Sequence, residues 1–149
     1  MNIGLYTITS PLHNQEAVEA ASAGFIKEIE NELDCGFDIK GADFGTYGQH
    51  DLDVIYVRTG GTEGIFKEVF PSLKGNIVLL TSGKSNSLAA SMEILSYLNQ
   101  QGRRGEIIHG SITYIADRLR TLARVVSAAK RLGGSNLGVS PILNVSEIK

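Results

Sequence analysis

The amino-acid sequence predicts an α/β fold, a doubly wound three-layer sandwich in which helices cover both faces of a parallel sheet of about five strands. Short apolar runs with strand character alternate with longer runs of helical period, which is typical of strands joined by crossover helices. Glycine stands where the predicted helices end, whereas polar residues follow the predicted strands. Both observations favour repeated strand–helix units.

Each element follows from its local pattern. The strands are predicted near residues 3–9, 37–43, 54–57, 77–80 and 106–108. The helices are predicted near residues 15–33, 62–70, 88–100 and 112–132. In the first helix Val18, Phe25 and Ile29 share a face, and the alanines with Gly24 predict a close approach to the sheet. The last helix carries an apolar stripe from Ile112 to Ala129 opposite an arginine-rich face, so the stripe is expected to pack on the sheet.

The chain length of 149 residues suits one domain with a single core. We assign residues 1–135 to this α/β domain. Residues 136–149 contain a strand-like Leu137-Gly138-Val139 and are interpreted as the start of a following domain or as a C-terminal tail.

Composition restricts the partners and the compartment. A net charge of -2 gives no general attraction to nucleic acid or to an anionic membrane. The apolar runs are too short to span a bilayer. A single cysteine, Cys35, excludes an internal disulfide. The sequence therefore predicts a cytoplasmic protein with neither a nucleic acid nor a membrane as partner.

Polar turns that follow strands are the predicted binding region. The segments 10–14, 44–52, 58–63, 81–87 and 109–111 are all expected at the carboxyl edge of the sheet, where open α/β sheets bind ligands. The ligand-binding candidates within these turns are Arg58, Gly60, Gly61, Thr62, Lys84, Asn86, Ser87 and His109.

Helix capping explains part of this set without a ligand. Thr62, and Asn86 or Ser87, stand where they can cap the following helices. Capping does not explain Arg58. A cation at the carboxyl end of a strand is well placed to meet an anion, a hydroxylated ligand or a partner's carboxylate. Lys84 either solvates its turn or strengthens an anion site beside free backbone N–H groups.

Spacing or composition excludes three nucleotide-binding sites: the P-loop, the flavin site of flavodoxins and the dinucleotide motif. Gly83-Lys84-Ser85 matches the end of a P-loop, but the first glycine of that motif would fall on Val78, inside a strand. A flavodoxin offers Ser, Thr and Gly to the flavin phosphate after its first strand, whereas this turn reads Ser-Pro-Leu-His-Asn at 10–14. The chain also lacks the G-x-G-x-x-G dinucleotide motif.

The three histidines do not have the sequence spacing of a metal site. His13, His50 and His109 nevertheless all fall in the polar turns, so they are candidates to converge at the carboxyl edge. His109 is either a junction residue or a general base. We predict no metal and no cofactor in this chain, and no catalytic residue.

Four segments, in their order and spacing, resemble the N-terminal region of proteins related to L-fucose and L-arabinose isomerases. They are DVIYV at 53–57, TGGTE at 59–63, NSLAASMEIL at 86–95 and IHG at 108–110. The resemblance runs from about residue 3 to residue 139 and includes RLGGSNLGV at 131–139.

The resemblance implies a flavodoxin-like domain that helps to build a homo-oligomer of the full-length protein and closes over a neighbouring subunit's sugar site. In that family a divalent metal, commonly manganese, is held by two carboxylates and a histidine in later domains, and none of these maps onto this sequence. The complete enzyme interconverts aldoses and ketoses, whereas this chain by itself is expected to be inactive.

Three hypotheses follow. The first is a non-catalytic domain of a sugar isomerase-like protein that covers the sugar site and supports assembly. The alternative is a stand-alone α/β domain that binds a small anionic or phosphorylated ligand at the strand carboxyl ends. The third is an interaction module that uses the arginine-rich face of the last helix.

Overall fold

The computed structural model describes residues 1–132 of the 149-residue chain. These residues form the strands β1 (Ile3–Ile8), β2 (Asp38–Gly41), β3 (Leu52–Val57), β4 (Ile77–Leu80) and β5 (Gly105–Ile108). They also form the helices α1 (Gln15–Leu33), α2 (Glu63–Val69), α3 (Ser87–Gln100) and α4 (Ile112–Arg131), with a 3₁₀ turn at Phe70–Ser72. Each predicted element is present, and its boundaries differ from the prediction by one or two residues at most.

The five strands are parallel and lie in the order β2-β1-β3-β4-β5. α1 and α4 cover one face of the sheet, and α2 and α3 cover the other. The predicted α/β three-layer sandwich with a flavodoxin-like parallel sheet is therefore confirmed. The chain moves from β1 to one side and from β3 to the other, so the topological switch point lies between β1 and β3.

An apolar cluster fills each side of the sheet. On the first face the helices contribute Ile26, Ile29, Leu33, Ile115, Leu119 and Leu122. On the second face they contribute Phe66, Ala90, Ile94 and Leu98. The predicted stripe of α4 is confirmed, because its residues at positions 115, 119 and 122 are fully buried. Burial of this kind is the main favourable term in folding.

The predicted buried face of α1 is wrong in its N-terminal half. The buried residues of the helix are Ser22, Ile26, Ile29 and Leu33. Its small residues are exposed to solvent, namely Ala17, Ala20, Ala21, Ala23 and Gly24. Ser22 is the only buried residue of the N-terminal half, and a groove lies between this half of α1 and the turns after β3 and β4.

Residues 42–51 lead directly from β2 to β3 and do not form a turn at the carboxyl edge as predicted. The segment returns to the amino edge, where the Asp51 amide donates to the Asn2 carbonyl at 2.8 Å. Phe44 and Tyr47 cover Tyr6 on the way, with ring centroids 4.9 and 5.3 Å from its ring. A parallel crossover normally uses a helix, and here aromatic packing takes its place.

His50 holds the end of this connection at the amino edge. Its Nδ1 lies 2.8 Å from Asp53 Oδ1 and its Nε2 lies 2.8 Å from Asp38 Oδ2. The hydrogen bond from His50 lowers the pKa of Asp38. The ring is buried against Gly4, where a Cβ would come within 2.6 Å of Nδ1, so β1 needs a glycine at this point.

Within residues 1–132, no helix is long and apolar enough to cross a membrane. The predicted domain boundary after residue 135 and the strand-like Leu137-Gly138-Val139 lie outside the described residues.

Candidate functional site

The candidate site lies where the turns after β1 and β3 separate. The first turn leads to α1 on one face of the sheet and the second leads to α2 on the other. A crevice at such a switch point is the usual ligand site of an open α/β sheet. Two cavities lined by residues 1–132 lie at this edge, and we call them the switch-point cleft and the α1 groove.

The switch-point cleft has a volume of about 260 Å³ and opens on the side of α3. It is lined by Ser10, Leu12, His13, Gly60, Gly61, Asn86, Ala89, Ala90 and Glu93. The lining supplies a hydroxyl, an imidazole, an amide and a carboxylate, together with apolar methyl groups. It can therefore both donate and accept hydrogen bonds.

Thr59 holds the turns after β1 and β3 together. Its side chain is fully buried, and its Oγ1 accepts from the Ser10 amide at 3.0 Å and donates to the Gly60 carbonyl at 2.9 Å. Thr62 does not cap α2 as one interpretation expected. Its backbone is helical, and its hydroxyl donates to the Thr59 carbonyl at 3.1 Å. Both threonines therefore fix the turn itself.

The two glycines of this turn have separate roles. The Gly60 amide donates to the Ser85 carbonyl at 2.7 Å, and a Cβ on Gly60 would lie 3.0 Å from the Asn86 Cβ. Gly61 has φ of +72°, which favours glycine. The glycine pair therefore lets the turns after β3 and β4 approach closely and form one wall of the cleft.

The turn after β4 is fixed by a pair of buried hydroxyls. Thr81 Oγ1 donates to Ser87 Oγ at 2.6 Å and accepts from the Gly83 amide at 3.0 Å. The expected side-chain cap of α3 is not formed within the described residues, since Ser87 is engaged by Thr81 and Asn86 has φ of +61°. The Asn86 side chain is thereby left exposed at the cleft.

The α1 groove has a volume of about 570 Å³ and lies between the N-terminal half of α1 and the turns after β3 and β4. The small residues of α1 form one wall. Tyr56, Arg58, Ser82 and Lys84 line the opposite side. Lys84 is exposed and makes no ion pair with residues 1–132. The groove thus combines an apolar wall with two cations.

Arg58 is paired inside the chain. Its Nη1 and Nη2 donate to the two Glu19 carboxylate oxygens at 2.9 and 3.0 Å, and Nη1 also lies 3.3 Å from Thr9 Oγ1. Only 13% of the Arg58 side chain is exposed, against 66% of Glu19. The Arg58 Nε is buried and has no hydrogen-bond partner among residues 1–132.

Tyr56 lies on the floor of the groove. Its hydroxyl donates to Ser22 Oγ at 3.5 Å. Burial raises the pKa of Tyr56, while the bond to Ser22 and the charge of Arg58 lower it by less. The phenol is therefore neutral at pH 7 and serves as a hydrogen-bonding group.

The histidines do not converge. His13 lines both cavities. His109 packs its ring against Gly83, and its Nδ1–H donates to the Thr81 carbonyl at 3.3 Å, while His50 lies at the opposite edge of the sheet. Among the described residues, no group of three His, Cys, Asp or Glu side chains is arranged to hold a metal.

The structure distributes the predicted candidates over three places. Gly60, Gly61 and Asn86 line the cleft. Arg58 and Lys84 line the groove. The remaining candidates line neither cavity: Thr62 and Ser87 are buried in the turns, and His109 lies beside Gly83.

Most lining residues of the two cavities were missed from the sequence, and three of them show why. Glu93 lies seven residues after Asn86, which is two turns along one helix face, so helical periodicity was an available signal. Ser10 belongs to a predicted turn, but no sequence motif marks it as a binding residue. Tyr56 is buried in β3, as its sequence pattern indicates, and nothing in that pattern signalled that its side chain borders the groove.

No family model matches the chain, and neither a curated protein nor a solved structure matches it. A functional assignment therefore depends on the chemistry of the two cavities.

Proposed function

We propose that the chain is the N-terminal, non-catalytic domain of a sugar isomerase-like protein, and that its carboxyl edge covers a sugar site and contributes to a homo-oligomer. The observation that carries the proposal is the switch-point cleft, whose lining combines four polar side chains with a larger apolar surface, as suits a ligand with hydroxyl groups and an apolar C–H face. The sequence resemblance described above supports the same class.

The cleft matches a monosaccharide in chemistry. The Asn86 amide and the Glu93 carboxylate together offer donors and acceptors to vicinal hydroxyls, and Ala89 and Leu12 provide an apolar surface for a sugar C–H face. Because the turns are fixed by buried threonines, little conformational entropy is lost when a ligand binds.

The proposed role is to cover the sugar and not to transform it. Aldose–ketose interconversion in the resembling family uses a divalent metal, commonly manganese, held by two carboxylates and a histidine. Residues 1–132 bring together no such ligand group. We infer that, in a complete enzyme of this class, the metal is held outside these residues.

An NMR titration tests the proposal. L-fucose and L-arabinose are added to the ¹⁵N-labelled chain, and the amides of Gly60, Gly61 and Ala89 should shift. Glu93→Ala removes one hydrogen-bond partner and should weaken binding about two- to tenfold. Asn99→Ala is the control, because Asn99 is exposed on the same helix and lies outside the cleft. Shifts confined to Gly36 and Gly102, at the opposite edge, would contradict the proposal.

A second candidate is a stand-alone domain that binds a small anionic or phosphorylated ligand. It is favoured by Lys84, whose ammonium is unpaired among the described residues and stands beside the N-terminus of α3, where Asn86 makes no side-chain cap. Inorganic phosphate in the same titration tests it through the Ser87 and Leu88 amides.

A further inference from the structure

The α1 groove contains a guanidinium whose hydrogen bonding is incomplete. Arg58 uses Nη1 and Nη2 on Glu19, while Nε is buried without an acceptor among residues 1–132. A buried donor without a partner is costly. A carboxylate bound through Nε and one Nη would satisfy this donor, and a bidentate arginine contact is the geometry that carboxylates prefer.

Glu19 occupies Arg58 from a weakly held position. It is 66% exposed on the N-terminal half of α1, where Ser22 is the only buried residue. Arg58 is 13% exposed and directly follows β3, where its amide donates to the Ile8 carbonyl at 3.1 Å. The two partners are thus unequal, because Glu19 lies largely in solvent whereas Arg58 is held against the edge of the sheet. A carboxylate that enters the groove can displace Glu19 without disturbing the sheet.

The rest of the groove is suited to a ligand with hydroxyl groups and one apolar face. The Tyr56 hydroxyl and Ser82 supply hydrogen-bonding groups near Arg58, and Lys84 adds a second cation. Phe25 and Gly24 leave an apolar wall, with the Phe25 ring 5.5 Å from the Tyr56 ring. The volume of about 570 Å³ lies in the usual range for small-molecule sites.

We propose that the α1 groove is a second binding site, separate from the switch-point cleft, and that it takes a sugar acid such as a hexuronate. The carboxylate of the sugar acid replaces Glu19 on Arg58, and its hydroxyls face Tyr56 and Ser82. A neutral sugar offers Arg58 no charge to exchange for Glu19, and inorganic phosphate leaves the apolar wall uncovered. The inference rests on the proposed function only in taking the carboxyl edge as the ligand-binding edge.

The test is calorimetric titration of the full chain with D-galacturonate, with D-galactose and inorganic phosphate as controls. Glu19→Gln removes the internal competitor and should tighten galacturonate binding about two- to fivefold. Glu16→Gln is the matched control, because Glu16 is also exposed on α1, and it should leave the galacturonate affinity unchanged. Arg58→Gln removes the charged partner and should weaken binding at least about tenfold.

The NMR shifts of the same titrations separate this inference from the proposed function. Galacturonate should shift the groove amides of Ser22 and Gly24, whereas L-fucose should shift the cleft amide of Ala89. Unchanged galacturonate affinity in Glu19→Gln, or equal affinity for galactose or phosphate, would overturn the inference and leave the cleft proposal standing. Loss of the L-fucose shifts would overturn the cleft proposal only. The Glu19→Gln result decides the matter even if Arg58→Gln does not fold.

Discussion

Single buried hydroxyl groups determine the shape of the candidate site. Thr59 and Thr81 each follow a central strand. The Thr59 hydroxyl bonds to the neighbouring turn after β1, and the Thr81 hydroxyl bonds within its own turn. A buried hydroxyl must find such partners, because an unsatisfied polar group in the interior is costly. The turns at the carboxyl edge therefore keep their form without a ligand.

His50 is the corresponding residue at the amino edge. His50→Ala removes both carboxylate contacts and so takes one partner from Asp53, whose side chain is 9% exposed and also accepts from the Gly48 amide at 2.9 Å. We expect the free energy of unfolding to fall by at least about 1–3 kcal/mol, because a buried charged group loses a partner. Urea denaturation measures the loss.

Lys40→Ala is the control for this variant. Lys40 pairs with Asp38 at 3.4 Å between side chains that are 28% and 44% exposed, so its removal should cost less than about 1 kcal/mol. A His50→Ala variant as stable as Lys40→Ala would show that the imidazole does not hold the connection between β2 and β3.

At the scale of elements, the contacts of α4 show which of its faces is available to a partner. Its apolar stripe is buried against the sheet. Much of its arginine-rich face is engaged inside the chain, since Arg118 binds Glu106 at 2.6 and 2.9 Å and Arg120 binds Asp117 at 2.9 Å. These pairs weaken the hypothesis of an interaction module on this face, because the cations already have partners.

The packing of α4 gives a stability prediction. Leu122 is fully buried in the first apolar cluster, so Leu122→Ala should lower the free energy of unfolding by about 2–5 kcal/mol through lost burial and a cavity. Arg124 is exposed two residues further on, and Arg124→Ala should change the free energy of unfolding by less than about 0.5 kcal/mol. Denaturant titration of both variants is the measurement. Equal small losses would contradict the docking of α4.

At the scale of the whole molecule, the strand order places two cavities on one edge. β1 and β3 are central neighbours, and their turns leave toward opposite faces, so one cavity forms on each side. The order β2-β1-β3-β4-β5 thus explains why polar turns distant in sequence meet.

The chain should lack isomerase activity by itself. With manganese added, we expect no ketose formation from L-fucose or L-arabinose, because residues 1–132 bring together no metal-ligand group. A colorimetric ketose assay with and without a chelator checks this. Chelator-sensitive turnover would contradict the assignment as a non-catalytic domain.

Most of the fold follows from the sequence. The alternation of strand and helix periods predicts every described strand and α-helix, and the stripe of α4 predicts its buried face, because burial of apolar side chains imposes these periods. The candidate turns are also correctly located, except for residues 44–52. These residues follow a strand but connect it directly to the next strand. The sequence pattern does not distinguish such a connection from a turn that leads into a helix.

The sequence by itself determined the element order, the parallel sheet and the polar character of the carboxyl-edge turns, since each depends on local period and residue type. Only the tertiary structure decided which side chains meet. The pairing of Arg58 with Glu19 joins residues 39 positions apart, and the bond from Thr59 to Ser10 spans 49 positions. Such contacts depend on the strand order and on where α1 lies against the sheet. The small residues of α1 illustrate the limit: their sequence favours close packing, but in the structure they are exposed and line a groove.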